Sequence, residues 1–298
     1  MTGEEAMTER RFVLLMLLPA VLFLGFMVAY PVALLVYNSF FDVKLIDPAS
    51  RVWVGLANYA EVLTSKRMLE SAIRTLKYSA FALSFELLFG FGAALLFSAI
   101  AKHSHWHRTI FALPLMISPI VAGLLWRFLL VGNIGILNYG LAALGIIHDP
   151  GAIKWLSDTD IVIYSVAVAD IWLTTSFVAL VSYAGLMNIP KDLFEAARID
   201  GASAIKRFWY VTLPMMRPVL AVVVIVRGID ALKTFDLIWI QTQGGPRQSS
   251  EVLSMNIYQR MVRYGDLGQA SASATLFLVF MIALAGLAYW KIWRTDRG

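Results

Sequence analysis

Five ionisable side chains lie inside long apolar stretches of this sequence, and they have the greatest potential for chemistry. They are Glu86, Asp170, Arg227, Asp230 and Lys233. Charges inside hydrocarbon are costly, so such residues by default indicate a solute or ion pathway, or a paired site. The three on the predicted fifth apolar span are three residues apart, which lets neighbours pair along one broad helix face.

Asp170 and Arg227 are predicted to lie at similar depths. Each is nine residues from one end of its apolar span, or about 14 Å at about 1.5 Å per residue. Both therefore lie near the middle of a hydrocarbon core about 30 Å thick. Two interpretations stay open: a structural ion-pair ladder and a polar cavity for a solute. For Glu86 we expect a packed, partner-bonded structural role.

The composition requires a lipid environment. The chain has 298 residues, of which 59% are hydrophobic and 15% charged, whereas soluble domains have about 25% charged residues. The net charge is +5, and the basic residues lie largely beside apolar blocks, which is typical of membrane flanks and not of a nucleic-acid surface. The sequence has no cysteine, so disulfide and thiolate chemistry are excluded.

Six apolar stretches are long enough, at about 20 residues or more, to cross a membrane. They are predicted at 12–40, 76–101, 109–131, 161–184, 218–240 and 270–290. We therefore expect an all-α integral membrane protein with one domain over 12–290, flanked by short tails at 1–11 and 291–298. Pro19 and Pro31 are expected to kink the first span. An even number of spans places both termini on one side, and the Lys and Arg distribution favours the cytoplasmic side.

Signatures of catalysis and of nucleotide binding are absent. No Gly-Lys dipeptide occurs, so the chain has no P-loop and is not itself a Walker-type ATPase. No catalytic residues or bound cofactors are predicted. His103, His105 and His107 alternate, but no carboxylate or cysteine lies nearby to complete a metal site, so a solvated loop is favoured. Gly90 and Gly92 are interpreted as helix-packing positions.

A polar segment at 190–214 separates the fourth and fifth spans and lies on the cytoplasmic side in the favoured topology. Pro190 is suited to a helix start, and a short helix is predicted from Lys191 to Ile199. Gly201 can adopt the positive φ that ends such a helix.

A second short helix is predicted to follow. Asp200 or Ser203 can cap it, it is expected to run to Tyr210, and Pro214 is expected to close the element.

The sequence of this segment carries a family resemblance. Glu195-Ala196-Ala197-x-x-Asp200-Gly201-Ala202, followed by Phe208 and Leu213-Pro214, resembles the EAA signature of ABC-importer permeases. Stretches along nearly the whole chain resemble the carbohydrate-uptake branch, of the maltose and glycerol-phosphate types. Among them are Gly55-Leu56-x-Asn58-Tyr59, Gly135-x-Leu137-Asn138, Asp170-x-Trp172, Gly244-Gly245-Pro246 and Leu267-Gly268-x-Ala270.

The resemblance implies the fold of a type I ABC importer permease, with six transmembrane helices and a cytoplasmic coupling-helix loop, in the bacterial cytoplasmic (inner) membrane. Such a permease pairs with a second homologous permease, two ATP-binding subunits and an external solute-binding protein. ATP and Mg would be bound by the partner ATPases. The ATPase-coupling residues implied here are Glu195, Ala196, Ala197, Asp200, Gly201 and Ala202.

The resemblance also implies a solute site in the membrane for a sugar or a sugar derivative, including an anionic one. The implied positions are Gly123, Asp170, Leu173, Thr174, Phe177, Arg227, Ala231 and Thr234. Charged Asp170 and Arg227 replace neutral polar groups of the maltose type. Arg227 therefore either holds an anionic sugar by a charge-assisted bond or neutralises Asp170.

Two alternative functions stay open. The EAA loop is shared among importer classes, so the chain is alternatively a permease for amino acids or phosphate. An ion-coupled secondary transporter acting alone is less favoured, because no regular series of carboxylates suggests a proton relay. A membrane enzyme is least favoured, for want of a catalytic constellation.

Overall fold

The computed structural model of the chain describes residues 3–100, 104–132 and 134–295. His103 of the histidine triplet and the last residue of the predicted second span lie outside them. The elements in the first half are α1 (Gly3–Asn38), β1 (Phe41–Lys44), β2 (Asp47–Trp53), α2 (Ala57–Thr64), α3 (Lys66–Ala99), α4 (Ser104–Ala112), a 3₁₀ turn (Leu113–Met116), α5 (Pro119–Leu130) and α6 (Ile136–Ala143). Those in the second half are α7 (Val162–Met187), α8 (Lys191–Ile199), α9 (Ala204–Arg207), a π-helical turn (Phe208–Thr212), α10 (Leu213–Leu232), α11 (Asp236–Thr242), α12 (Leu253–Val262) and α13 (Leu267–Thr295).

Five helical stretches are long and apolar enough to cross a membrane, and a bent helix pair makes a sixth if it is one span. The five are Arg11–Asn38, Lys66–Ala99, Val162–Met187, Ala204–Leu232 and Leu267–Ala288. The first is continuous through Pro19 and Pro31. Its apolar side chains are exposed, as expected for a helix surrounded by lipid.

The predicted third span, 109–131, is not one continuous helix. It is divided into two segments, Trp106–Met116 and Pro119–Leu130, that meet at an angle of 94°. Proline lacks the N–H that continues a helix, and it favours extended backbone in the residue before it. Ser118, which precedes Pro119, has φ −61° and ψ 139°, so the helix ends and restarts at this point.

The predicted fifth span, 218–240, is displaced toward the N-terminus. The helix ends at Leu232, and α11 is a separate short helix from Asp236. Helical structure is continuous from Ala204 to Leu232 through the π-helical turn. The prediction that Pro214 closes the polar segment is therefore wrong. Pro214 lies inside this continuous stretch, two residues after the π-helical turn.

The chain folds into two compact units. The first unit combines residues up to Ser65 with Ile257–Val279. It contains the antiparallel hairpin β1–β2, in which Phe41 pairs with Trp53. This two-stranded hairpin is a local addition to a mostly helical chain, and the predicted all-α membrane fold is confirmed.

Hydrogen bonds from side chains hold the first unit together. Asn58 donates to the carbonyl oxygens of Ser39 and Phe41, each at 2.9 Å. Lys44 donates to Asp266 at 3.1 Å, and this hydrogen bond raises the pKa of Lys44. A Cβ at Gly268 would collide with the carbonyl of Phe41. Asn58 and Gly268, two positions of the family resemblance, thus lie at one packing contact.

The second unit combines Lys66–Asn256 with the residues from Phe280 onward. Its central helix is α7, most of which is buried. A Cβ at Gly90 of α3 would lie 2.6 Å from Cβ of Val178 in α7, so glycine allows these two helices to pack closely. A Cβ added at Gly92 would meet no atom within 4 Å. Only one member of the predicted glycine pair therefore lies at a tight contact.

Candidate functional site

The polar segment forms the short helix that the sequence predicts. Helix α8 spans Lys191–Ile199, directly after Pro190. Gly201 has φ +72°, as expected for the glycine that ends it. The hydroxyl of Ser203 accepts a hydrogen bond from the Lys206 backbone N–H at 3.3 Å, so Ser203, and not Asp200, caps the second helix.

The end of α8 is a Schellman motif built from the signature residues. The backbone N–H of Ala202 donates to Ala197 O at 2.9 Å, and that of Gly201 donates to Arg198 O at 3.0 Å. This pair of bonds requires a left-handed residue, which glycine adopts without a Cβ penalty. The signature spacing therefore has a local structural cause.

No residue of α8 is buried within the chain. Glu195, Ala196, Asp200 and Gly201 are exposed, and Ala197 and Ala202 are half-buried. Large apolar side chains are exposed at the end of α8 and after it, namely Ile199, Ile205, Trp209 and Tyr210. The segment thus offers a short helix with small residues and exposed apolar groups.

The ionisable residues meet in the second unit. The Arg227 guanidinium on α10 donates to Glu86 on α3 through Nε–Oε2 and Nη2–Oε1, each at 2.9 Å. Its Nη2 also donates to Oδ1 of Asp170 on α7 at 3.3 Å. The contact between Asp170 and Arg227 matches one of the two interpretations that the sequence left open, the structural ion pair. Glu86 has the partner-bonded role that was expected. One cation thus connects three helices.

Two further groups extend this cluster. The hydroxyl of Tyr78 on α3 donates to Oδ2 of Asp170 at 3.1 Å. On α10, Asp230 lies 3.7 Å from Arg227 Nη1 and 2.9 Å from the ammonium of Lys233. The ladder of alternating charges predicted from the three-residue spacing is therefore present.

The hydroxyl-bearing residues predicted for the solute site are bonded to their own helices. Thr174 donates to Asp170 O at 2.7 Å, and Thr234 donates to Asp230 O at 3.1 Å. Thr234 lies beyond the last residue of α10. Phe177 is half-buried on α7, and Ala231 is buried on α10.

Gly123 and Leu173 take part in helix packing. A Cβ at Gly123 on α5 would collide with Ile240 on α11. Leu173 packs in a cluster with Ala122 and Leu237. The structure therefore places these two predicted solute positions at contacts among α5, α7 and α11, separate from the charged cluster.

A cavity of about 400 Å³ lies elsewhere in the second unit. Its walls are mostly apolar residues of α3, α10 and the second half of α13, such as Leu83, Ile229 and Leu284. None of the eight predicted solute-site residues lines this cavity.

The sequence pointed to Glu86 as an ionisable residue within a span but not as a member of the solute site, and Tyr78 was not predicted at all. Both are fully buried on α3, and their eight-residue spacing with Ala82 between them places them on one helix face. That spacing was a usable signal, because two polar residues on one apolar helix face indicate a polar partner.

Comparisons with known proteins identify the family. The family described as "Binding-protein-dependent transport system inner membrane component" matches residues 86–290. The chain belongs to this family. The resemblance to importer permeases is thereby confirmed, and the chain is a component of a membrane transport system.

Two relatives match this permease over nearly its whole length. It is 33% identical to the sulfoquinovosyl glycerol transport system permease protein SmoG of Agrobacterium fabrum, covering 96% of this chain and 92% of that protein. It is also 33% identical to the trehalose/maltose transport system permease protein MalF of Thermococcus litoralis, covering 100% of this chain and 98% of that protein.

A solved structure shares the fold. A chain from a bacterial ABC transporter involved in the import of the acidic polysaccharide alginate matches with a TM-score of 0.80 and 21% identity, covering 97% of this permease and 98% of that chain.

Proposed function

We propose that this chain is the transmembrane permease subunit of an ATP-driven importer that takes up a sugar or a sugar derivative by alternating access. An external solute-binding protein would deliver the solute, in keeping with the family description. The names of the two relatives indicate a carbohydrate class that includes both neutral and anionic solutes.

The observation that carries this proposal is the exposed helix α8 with its glycine-dependent end. This helix has no buried residue of its own, and its alanine and glycine residues allow another protein to approach closely. It is therefore suited to docking in a cleft of a partner protein. Glu195 and Arg198 are exposed on it and supply charges that would orient the partner. We assign this surface to the ATPase subunits, with Glu195, Ala196, Ala197, Asp200, Gly201 and Ala202 as the coupling residues.

The chain contains no Gly-Lys dipeptide, so hydrolysis requires separate subunits. Two ATP-binding subunits would hold ATP and Mg, and a second homologous permease would complete the translocation path. Both termini and α8 would lie in the cytoplasm, with residues 41–53, 132–160 and 243–252 outside.

The connection between α8 and the membrane gives a mechanical route for coupling. Helical structure is continuous from Ala204 through the π-helical turn into α10. A displacement of α8 by the closing ATPases would reach the helix that carries Arg227 and Ala231 through the short turn at 200–203. Such rigid-body rocking of packed helices opens a central site alternately to the two sides.

The solute would be held by residues of α7 and α10. Thr174 is half-buried with Phe177 one turn further along α7, which provides a hydroxyl and an aromatic surface of the kind that sugars prefer. The predicted positions Gly123, Leu173, Ala231 and Thr234 are further candidates, whereas Asp170 and Arg227 are bonded to each other and to other protein groups.

The test is uptake by the assembled transporter in proteoliposomes. With ATP inside and the binding protein outside, we expect accumulation of a labelled sugar probe from a panel containing trehalose and sn-glycerol 3-phosphate. Uptake of only an amino acid or phosphate would indicate another importer class. Uptake driven by an ion gradient without ATP or partners would contradict the proposal and support a secondary transporter.

A further inference from the structure

The guanidinium of Arg227 is already occupied by protein carboxylates. Its Nε and Nη2 atoms hold both oxygens of Glu86, Nη2 also reaches Asp170, and Nη1 faces Asp230. Every nitrogen of the fork therefore has a carboxylate beside it. Arginine and a carboxylate joined by two parallel bonds form one of the strongest and most directional polar contacts in proteins.

The cluster is also closed to solvent. The side chains of Glu86, Asp170 and Arg227 are 0%, 4% and 7% exposed. Asp170 has a partner at each oxygen, because Tyr78 donates to Oδ2 while Arg227 donates to Oδ1. A solute that used Arg227 would have to break a buried bidentate pair and leave Glu86 unpaired, which is strongly unfavourable.

We propose that Glu86, Asp170 and Arg227 form a three-helix positioning unit that sets the arrangement of α3, α7 and α10, with Tyr78 as its terminal donor, and that Arg227 is not a solute ligand. The proposal rests on the proposed transport function only in its statement about the solute. It assigns discrimination between anionic and neutral sugars to residues other than Arg227.

The charges predict an asymmetric response to substitution. One cation faces two fully buried carboxylates, so removal of either carboxylate leaves a balanced pair. Among the residues that the structure describes, removal of Arg227 leaves the two buried carboxylates without a buried cation at ion-pair distance. Removal of both carboxylates leaves Arg227 with only the partly exposed Asp230 nearby. An unpaired buried charge is the costly state, whereas a fully neutral replacement is often tolerated.

Thermal unfolding of the full chain in lipid nanodiscs tests this pattern. Glu86→Gln and Asp170→Asn should each lower the unfolding midpoint by less than about 5 °C, whereas Arg227→Met and the Glu86→Gln/Asp170→Asn double variant should each lower it by about 10 °C or more. The triple variant with all three changes should recover at least half of that loss. Equal effects of all single variants, or no recovery in the triple variant, would overturn the proposal.

Arg127→Met is the matched control. Arg127 lies on α5 and donates to a backbone carbonyl, that of Ile240, at 3.1 Å, with no carboxylate within ion-pair distance among the described residues. Its removal should shift the midpoint by only a few degrees, about the effect of losing one hydrogen bond.

The distance between α3 and α10 is a second readout. It should change if the cluster positions these helices, and it should stay the same if the cluster only stabilises the fold. The chain has no cysteine, so spin labels can be attached at introduced cysteines without background. Leu88 on α3 and Val222 on α10 are exposed and suit this purpose. We expect the distribution of distances between the two labels to shift or broaden in Arg227→Met. In the triple variant, we expect it to match that of the parent chain again. An unchanged distribution in Arg227→Met would contradict a positioning role.

Uptake kinetics separate positioning from solute binding. In the assembled transporter, the triple variant should keep half-saturation concentrations for trehalose and sn-glycerol 3-phosphate within about threefold of the parent, with any loss in the maximal rate. A selective loss of affinity for the anionic probe would identify Arg227 as a ligand. The unfolding and distance measurements need no transport, so they remain decisive if the chain carries a different class of solute.

Discussion

Arg67 and Glu251 form a bidentate ion pair between residues 184 positions apart in the sequence. Arg67 Nε donates to Oε1 of Glu251 at 2.9 Å, and Nη2 donates to Oε2. Glu251 is fully buried, and its carboxylate also accepts from Ser71 and Asn256. This contact ties the start of α3 to the segment between α11 and α12.

Substitution of Glu251 should therefore be much more harmful than substitution of an exposed glutamate. Glu251→Gln should destabilise the chain by about 2 to 3 kcal/mol, because three donors lose a buried carboxylate. Glu70→Gln is the control, since Glu70 is 43% exposed in its pair with Arg74, and its loss should cost about 0.5 kcal/mol. Chemical or thermal unfolding measures both, and equal shifts would contradict the assigned role of Glu251.

The helix end at Gly201 gives a sharp test of coupling. Gly201→Ala has open space for the added methyl group, so its cost arises from the positive φ alone and should be about 1 to 2 kcal/mol. Gly145 has φ +71° and equally open space, so Gly145→Ala carries the same backbone cost in another loop. We expect similar losses of stability, but a loss of ATP-dependent uptake only for Gly201→Ala. Equal losses of uptake would count against a coupling role for α8.

Substitution of two glycines in α3 by alanine should change the stability of the chain in different ways. A methyl group at Gly90 would lie 2.6 Å from Val178 Cβ and 3.0 Å from the Thr175 carbonyl, so Gly90→Ala should force α3 and α7 apart and cost about 1 to 3 kcal/mol. Gly92→Ala meets no atom within 4 Å and should be neutral or slightly stabilising, because alanine favours helices. Thermal unfolding of the two variants decides, and a Gly90→Ala variant as stable as the parent would refute the close contact.

Asn138 should hold the segment before α7 in its conformation. The two N–H groups of its amide are shared among the carbonyls of Gly132, Pro150 and Ile153, and its oxygen accepts from Trp155 Nε1 at 2.6 Å. Asn138→Ala leaves these buried groups unsatisfied and should cost roughly 3 kcal/mol.

Limited proteolysis reports this effect locally. Lys154 is exposed within the segment, so trypsin should cleave there several times faster in Asn138→Ala, because local opening becomes more frequent. Asn188→Ala provides the control, since Asn188 is exposed at the end of α7. An unchanged cleavage rate in Asn138→Ala would show that other contacts hold this segment.

Features of this permease that depend on local interactions could be read from the sequence. Helix α8 begins after Pro190 and ends before Gly201, where Pro and Gly preferences act within a few residues. Apolar length alone indicated the long helices, since the cost of polar groups in lipid applies to each segment separately. The alternating charges on α10 followed from helix geometry for the same reason.

Tertiary packing decided the features that depend on distant partners. Pro114 and Pro119 were visible, but whether prolines bend or divide a helix depends on what packs around them: α1 continues through two prolines, and the predicted third span breaks. Glu86 binds Arg227 from 141 residues away, and that pairing requires the rotation and depth of three helices at once. A local pattern specifies the faces of each helix, but only the packed bundle determines which faces meet.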